Sequence, residues 1–274
     1  MARKSSRKNK IILILLVLLL TAGVVTFQKT KKQTQFEPYF IGSSNRIEPK
    51  IASDNLNTQI SDELSKFEGS WGVAIRDLKI GKTYLYNADQ EIASASLYKL
   101  PVMWAAYQAI KDGQLEEEDV QNQLGAMITY SDNDSAIYLA ETLGWQNIEK
   151  LMARENLAGF KLSDPNPKTT AKSTLDLFER IYSNTAVSNK ASQKMKDLLF
   201  AQTVNDRIPK YLPKDVKIGH KTGELDFLRH DAGIVIGKNS HYIFVFLSET
   251  PIPEEASENI ALLSKKIFDE LEKQ

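Results

Sequence analysis

Ser94-Ala95-Ser96-Leu97-Tyr98-Lys99-Leu100-Pro101 is the stretch on which the rest of the chain depends. From Leu97 the apolar residues recur at helical spacing, at Leu100, Met103, Trp104, Tyr107 and Ile110, and Asp112-Gly113 supplies a helix stop. The spacing therefore predicts a helix whose N-terminus lies at or just after Ser96, where backbone N–H groups are unpaired and the helix dipole is positive. Lys99 falls one turn further along the same face. A serine hydroxyl is a weak nucleophile until a base takes its proton. A nearby amine can do so if burial or another cation lowers its pKa. The competing reading is a plain N-cap serine. Ser-x-x-Lys also occurs at Ser5–Lys8, inside a basic tail, so the pattern alone decides nothing.

Outward from this stretch, composition narrows the chemistry. The 274 residues are 42% hydrophobic and 26% charged, enough for a substantial globular core. The chain has no cysteine, which excludes disulfides, thiolate catalysis and thiolate-bound metals. Three histidines, at 220, 230 and 241, leave little for a metal site, and neither a metal nor a cofactor is expected. The formal net charge is zero, but residues 1–32 hold eight Lys/Arg and no acid. Residues 33–274 consequently carry 27 basic against 35 acidic residues, and nucleic acid is not an expected partner.

The N-terminus reads as a targeting region. Residues 1–10 form a basic tail, and Ile11–Phe27 is an uncharged apolar run near the lower length limit for a membrane span. An uncleaved single-pass anchor is expected, with the remainder outside the cytoplasm. A cleaved signal at the poor Thr21-Ala22-Gly23 site, giving a secreted protein, is the alternative. Residues 28–53 are polar and irregular and read as a tether.

Ser53-Asp54 can cap a helix over about 55–67, with Leu56, Ile60, Leu64 and Phe67 on one face. Strand patterns at 71–77 and 83–87 flank Lys79-Ile80-Gly81-Lys82, a hairpin signal. Helical patterns follow at 118–129, 134–143, 147–154, 172–183 and 189–200. Strand patterns return at 216–222, 231–237 and 242–248, before an amphipathic helix over about 254–272. The expectation is an α/β (α+β) fold: an antiparallel sheet flanked by terminal helices, split by an inserted all-α domain. The boundaries are a sheet part at 54–95 and 214–273 and an α part at 96–213.

Two further motifs lie in this frame. Ser131-Asp132-Asn133 sits on a helix-to-helix connection, and Lys221-Thr222-Gly223 on the first strand after the helical block, where Gly223 permits close approach to the backbone. Each has a bland reading, as a helix cap and a solvated strand lysine. Ser53-Asp54-Asn55 repeats the second motif as a cap, ahead of Ser96. The order S-x-x-K, S-D-N, K-T-G on helix start, helix–helix loop and strand is what makes the bland readings jointly improbable.

With these motifs over residues 54–273, the chain resembles the penicillin-recognising serine hydrolases, in particular class A β-lactamase-like proteins. The resemblance implies a β-lactamase/transpeptidase-like fold, with Ser96 as acylated nucleophile and Lys99 as its proton partner. Ser131 would pass a proton to the leaving nitrogen, with Lys221 beside it. Asn133 would hold the substrate's side-chain amide and Thr222 its carboxylate. The backbone N–H groups of Ser96 and of Glu224, which follows Gly223, would form the oxyanion hole. Arg229 and His230 are further carboxylate partners to weigh against surface roles, and His220 reads as a partnered strand residue.

The family's glutamate-bearing loop is where the resemblance fails. Phe160–Thr170 holds no glutamate and is short, Glu155 reads as a helix-surface acid, and Ile137 stands where the family has an asparagine. The implied activity is opening of a β-lactam, or of a D-Ala-D-Ala-type peptide, through an acyl-serine, with slow deacylation. A D,D-peptidase of the cell wall and a non-turnover penicillin-binding or sensor module are the two alternatives.

Overall fold

The computed structural model describes residues 55–273, and the tail, apolar run, tether and Ser53-Asp54 cap all lie outside them. Among the described residues, no helix is long and apolar enough to cross a membrane. The chain opens with α1 (Asn55–Leu64), then β1 (Ser70–Asp77) and β2 (Thr83–Tyr86). The Lys79–Lys82 hairpin forms as expected. Asp77 Oδ1 accepts from the Lys79 and Ile80 N–H groups at 2.8 and 3.2 Å, and Gly81 takes the left-handed φ of +72°.

After β3 (Ile92–Ala93) a 3₁₀ turn, Ala95–Tyr98, leads into α2 (Lys99–Lys111). Four further helices follow: α3 (Glu117–Thr129), α4 (Asn133–Leu143), α5 (Trp145–Arg154) and, beyond the short β4 (Lys168–Thr169), α6 (Ala171–Tyr182). Then come α7 (Asn189–Phe200), β5 (Lys217–Leu225), β6 (Leu228–Ile236), β7 (His241–Glu249) and α8 (Pro253–Glu272). Local capping explains several starts. Asp132, Thr170 and Ser188 each accept from the backbone N–H three residues on, opening α4, α6 and α7.

The five-stranded sheet runs β2-β1-β7-β6-β5 and is antiparallel throughout. Its strands alternate with period two and so feed two cores. Trp71, Val73, Ile75, Tyr242, Phe244 and Phe246 face α1 and α8. Ala74, Ile234, Ile243, Val245 and Leu247 face the helical insertion, joining Trp104, Leu124, Phe160 and Phe178. Full burial of one such large apolar side chain contributes about 1.5–3 kcal/mol.

Two details depart from the sequence expectation. Ser96 does not begin the α-helix but sits inside the 3₁₀ turn, so Lys99 is the first residue of α2 rather than one turn into it. The two-residue pair β3–β4, with Ile92 opposite Thr169 and Ala93 opposite Lys168, ties the helical insertion back to the chain just before Ser96. Strands that short leave no readable periodicity.

Candidate active site

Backbone geometry presents the serines first. Ala95 has φ +42° and Ser131 φ +59°, both in the left-handed region that non-glycine residues seldom occupy. The first bend turns the chain out of β3, with Leu97 N–H closing on Ser94 O at 2.9 Å and Ser94 N–H on Pro167 O at 2.7 Å. The second bend lies between α3 and α4. There Asp132 is used up as a cap, its Oδ1 accepting from Ser135 N–H at 2.7 Å, while Ser131 and Asn133 are left for the site.

The motifs meet at Ser131. Lys99 Nζ donates to Ser131 O at 2.5 Å, Ser131 Oγ at 3.3 Å and Asn133 Oδ1 at 2.7 Å. Three acceptors are the full complement of an ammonium group. Lys221 Nζ donates to the same Ser131 Oγ at 2.8 Å and to Thr222 O at 2.7 Å. With two amines donating to its oxygen, the Ser131 hydroxyl keeps its own hydrogen for another acceptor. The hydroxyls of Ser96 and Thr222 have no hydrogen-bond partner among the described residues, and neither has the Asn133 side-chain N–H₂.

Both amines are buried, Lys99 and Lys221 each at 0% exposure. Removing an ammonium from water is expensive, so burial favours the neutral amine. Burial pushes Lys99 down to about 8, against the pull of the Asp132 carboxylate. It pushes Lys221 down to about 7, and the charges of Lys99 and Arg207 act in the same direction, opposed by Asp231.

The strand that carries Lys221 packs against the Ser96 turn. A Cβ on Gly223 would come within 3.0 Å of His230 Cδ2 and 3.3 Å of Ser94 O, so the glycine allows β5, β6 and the nucleophile turn to close on each other. The ligand approach expected from the sequence is thus preceded by a packing need. Glu224 is exposed and pairs with Arg207.

Of the two carboxylate partners weighed in the sequence, His230 presents no free donor, whereas Arg229 keeps its Nη2 outside any hydrogen bond, 3.6 Å from Glu254 and 3.8 Å from Glu224. His230 is fully buried. Its Nε2–H donates to Ala93 O at 2.8 Å and its Nδ1 accepts from Ser248 N–H at 3.1 Å, while burial lowers it to about 4. It is a neutral brace between β6, β7 and the end of β3. Arg229 Nη1 donates to the Leu225 and Leu228 carbonyls, closing the β5–β6 turn. His220 is partnered, as expected, by Asp231 Oδ1 at 2.8 Å and Asn205 Oδ1 at 3.2 Å.

The residue that sequence reasoning missed is Arg207, at 0% exposure in the segment before β5. No motif or periodicity marks it. The only available signal was an arginine in a short apolar context, Arg207-Ile208-Pro209. On the loop side, Glu149 on α5 accepts from the Leu162 and Ser163 N–H groups, both at 2.6 Å, and Glu155 pairs with Arg180 at 2.7 Å. Glu149 and Glu155 therefore both have structural partners. Ile137 is exposed on α4. No cluster of three or more metal-ligating side chains occurs among the described residues.

The model of the "Beta-lactamase enzyme family" matches residues 55–121 and 117–271. No curated protein matches the sequence significantly. Among solved structures, PBP-A is 21% identical with a TM-score of 0.78, covering 83% of this chain and 99% of its own. A variant of PBP-A, solved as an acyl-enzyme complex with penicillin G, superposes equally well, at 0.78. A beta-lactamase from Chitinophaga pinensis is 20% identical with a TM-score of 0.73, covering 79% of this chain and 99% of its own. These likenesses establish the β-lactamase-like fold expected from the sequence.

Proposed function

We propose that this chain, which belongs to the beta-lactamase enzyme family, is a serine hydrolase of the acyl-enzyme type in which Ser96 carries the acyl group of a β-lactam or a D-Ala-D-Ala-type amide. The observation that supports this most directly is the shared hydroxyl of Ser131, held by Lys99 and Lys221 together.

In this reading the neutral Lys99 amine takes the Ser96 proton as Oγ attacks the carbonyl carbon. The oxyanion forms against the Ser96 and Glu224 backbone N–H groups. When the C–N bond breaks, the leaving nitrogen takes the Ser131 hydroxyl proton, and an adjacent ammonium replaces it. Asn133 N–H₂ and Thr222 Oγ1, both unpartnered among the described residues, suit a side-chain carbonyl and a carboxylate. Water then hydrolyses the ester without the glutamate that the family's loop supplies, since Phe160–Thr170 holds none.

The solved penicillin G complex of the PBP-A variant favours a β-lactam among the substrates. The engaged state of Glu149 and Glu155 favours the second reading, a cell-wall D,D-peptidase. The apolar run at 11–27 behind its basic tail supports a membrane anchor with the catalytic part outside the cytoplasm.

Mass spectrometry of the purified full chain mixed with penicillin is the test. An adduct of about one equivalent should map to Ser96 and vanish in Ser96→Ala, while thermal unfolding still shows a folded protein. Labelling at Ser131, or unchanged labelling in the variant, would sink the assignment.

A further inference from the structure

Arg207 is an uncomfortable residue. Its guanidinium has five N–H donors on a buried side chain, yet it makes only two hydrogen bonds, Nε to Ser257 Oγ at 3.4 Å and Nη2 to Glu224 Oε2 at 2.5 Å. Nη1 has no hydrogen-bond partner, lying 3.6 Å from the Asp206 carboxylate. An under-satisfied buried cation is costly, and it stays only where something else uses it.

The partner is the opposite kind of residue. Glu224 directly follows Lys221-Thr222-Gly223 on β5, its side chain is 57% exposed, and its second oxygen lies 3.8 Å from Arg229 Nη2. A carboxylate so exposed can swing into solvent without disturbing the core. The guanidinium cannot follow. Arg207 also acts on the site through space, since its charge depresses both Lys221 and His230.

We propose that the Glu224 carboxylate is a displaceable gate on Arg207, occupying the place that the carboxylate of an anionic acyl substrate takes when it binds. Glu224 is then a specificity-determining residue. It neutralises a buried guanidinium whose charge reaches Lys221, and so handicaps substrates that carry a free carboxylate relative to those in which it is amidated. The inference rests on the acyl-serine reading of the site.

The test compares acylation rates of a penicillin and of the same penicillin with its carboxylate converted to a carboxamide, in wild type, Glu224→Ala and Glu224→Gln. Both variants keep the backbone N–H, and the ratio of the two rates cancels any common effect on the oxyanion site. Uncovering a charged hydrogen-bonding partner should raise the carboxylate-to-carboxamide ratio by on the order of tenfold or more in Glu224→Ala, and in the same direction in Glu224→Gln. Glu224→Asp should restore a ratio near that of wild type. An unchanged or lowered ratio in both uncharged variants, with Ser96 still acylated, overturns the gate alone. Absence of any Ser96 adduct in wild type with either probe overturns the acyl-serine reading, and the gate falls with it.

Discussion

Two neighbourhoods flank Ser96, and they are built from opposite materials. On one side lie Lys99, Ser131 and Lys221, two buried amines on one hydroxyl. On the other, the loop between Lys161 and Lys168 is closed by backbone bonds between those two residues, at 3.0 and 2.8 Å, and joined to the nucleophile turn through Pro167 O. Asp164 within it accepts from Asn166 N–H at 3.0 Å, and Glu149 on α5 serves the loop itself. Partial burial pulls that carboxyl upward, but the Ser163 and Leu162 N–H groups hold it below the usual range. One side stores labile protons in a dry setting, whereas the other spends its carboxylate on holding a turn. The first is what forming an acyl-serine requires; the second has no glutamate on its loop to activate water.

The largest effect expected from this contrast is kinetic. Both half-reactions need a base, and loss of a positioned one typically costs ~10²–10⁴-fold. Stopped-flow with a chromogenic β-lactam should show a burst of about one equivalent followed by slow turnover. Burst-free, rapid steady-state hydrolysis would break the comparison, because a group on the loop side would then have to serve as base.

A smaller effect sharpens the acylating side. Lys99 must be neutral to accept the Ser96 proton, and its fraction neutral rises with pH through about 8. Lys221 must be charged to resupply Ser131, and its fraction charged falls through about 7. The acylation rate should therefore follow a bell centred midway between those values, its limbs belonging to the coupled pair. A rate that climbs steadily to pH 10 would remove the requirement for a charged Lys221.

The smallest effect concerns Glu155. Its bond to Arg180 is a half-exposed surface pair, worth at most about 1 kcal/mol. Glu155→Gln should lower thermal stability slightly and leave the decay of the Ser96 adduct, followed by mass spectrometry, as it was. A ~10²-fold slower decay would identify Glu155 as the deacylating base.

The local sequence carried most of the fold. Tyr242, Phe244 and Phe246 alternate with Ile243, Val245 and Leu247, so β7 is readable as a strand buried on both faces, and the helix from Pro253 shows its apolar stripe. Such periodicity survives because each element must bury a face wherever it packs. The 3₁₀ turn around Ser96 escaped it, because four residues hold barely one repeat. The β3–β4 pair escaped it for the same reason.

The motif residues were legible by type and order, but their partnerships were not. From the residues alone, the chain determined that a serine, two lysines and a short polar loop would lie on a helix start, a strand and a helix junction. Only the tertiary structure decided that Lys99 and Lys221 share one hydroxyl, across 32 and 90 residues of chain. It alone turned His230 into a neutral brace and set Arg207 beneath Glu224. The physical reason is range. Hydrophobic patterning is written between neighbours a few residues apart, whereas burial and charge act through space, between groups that only the closed fold brings together.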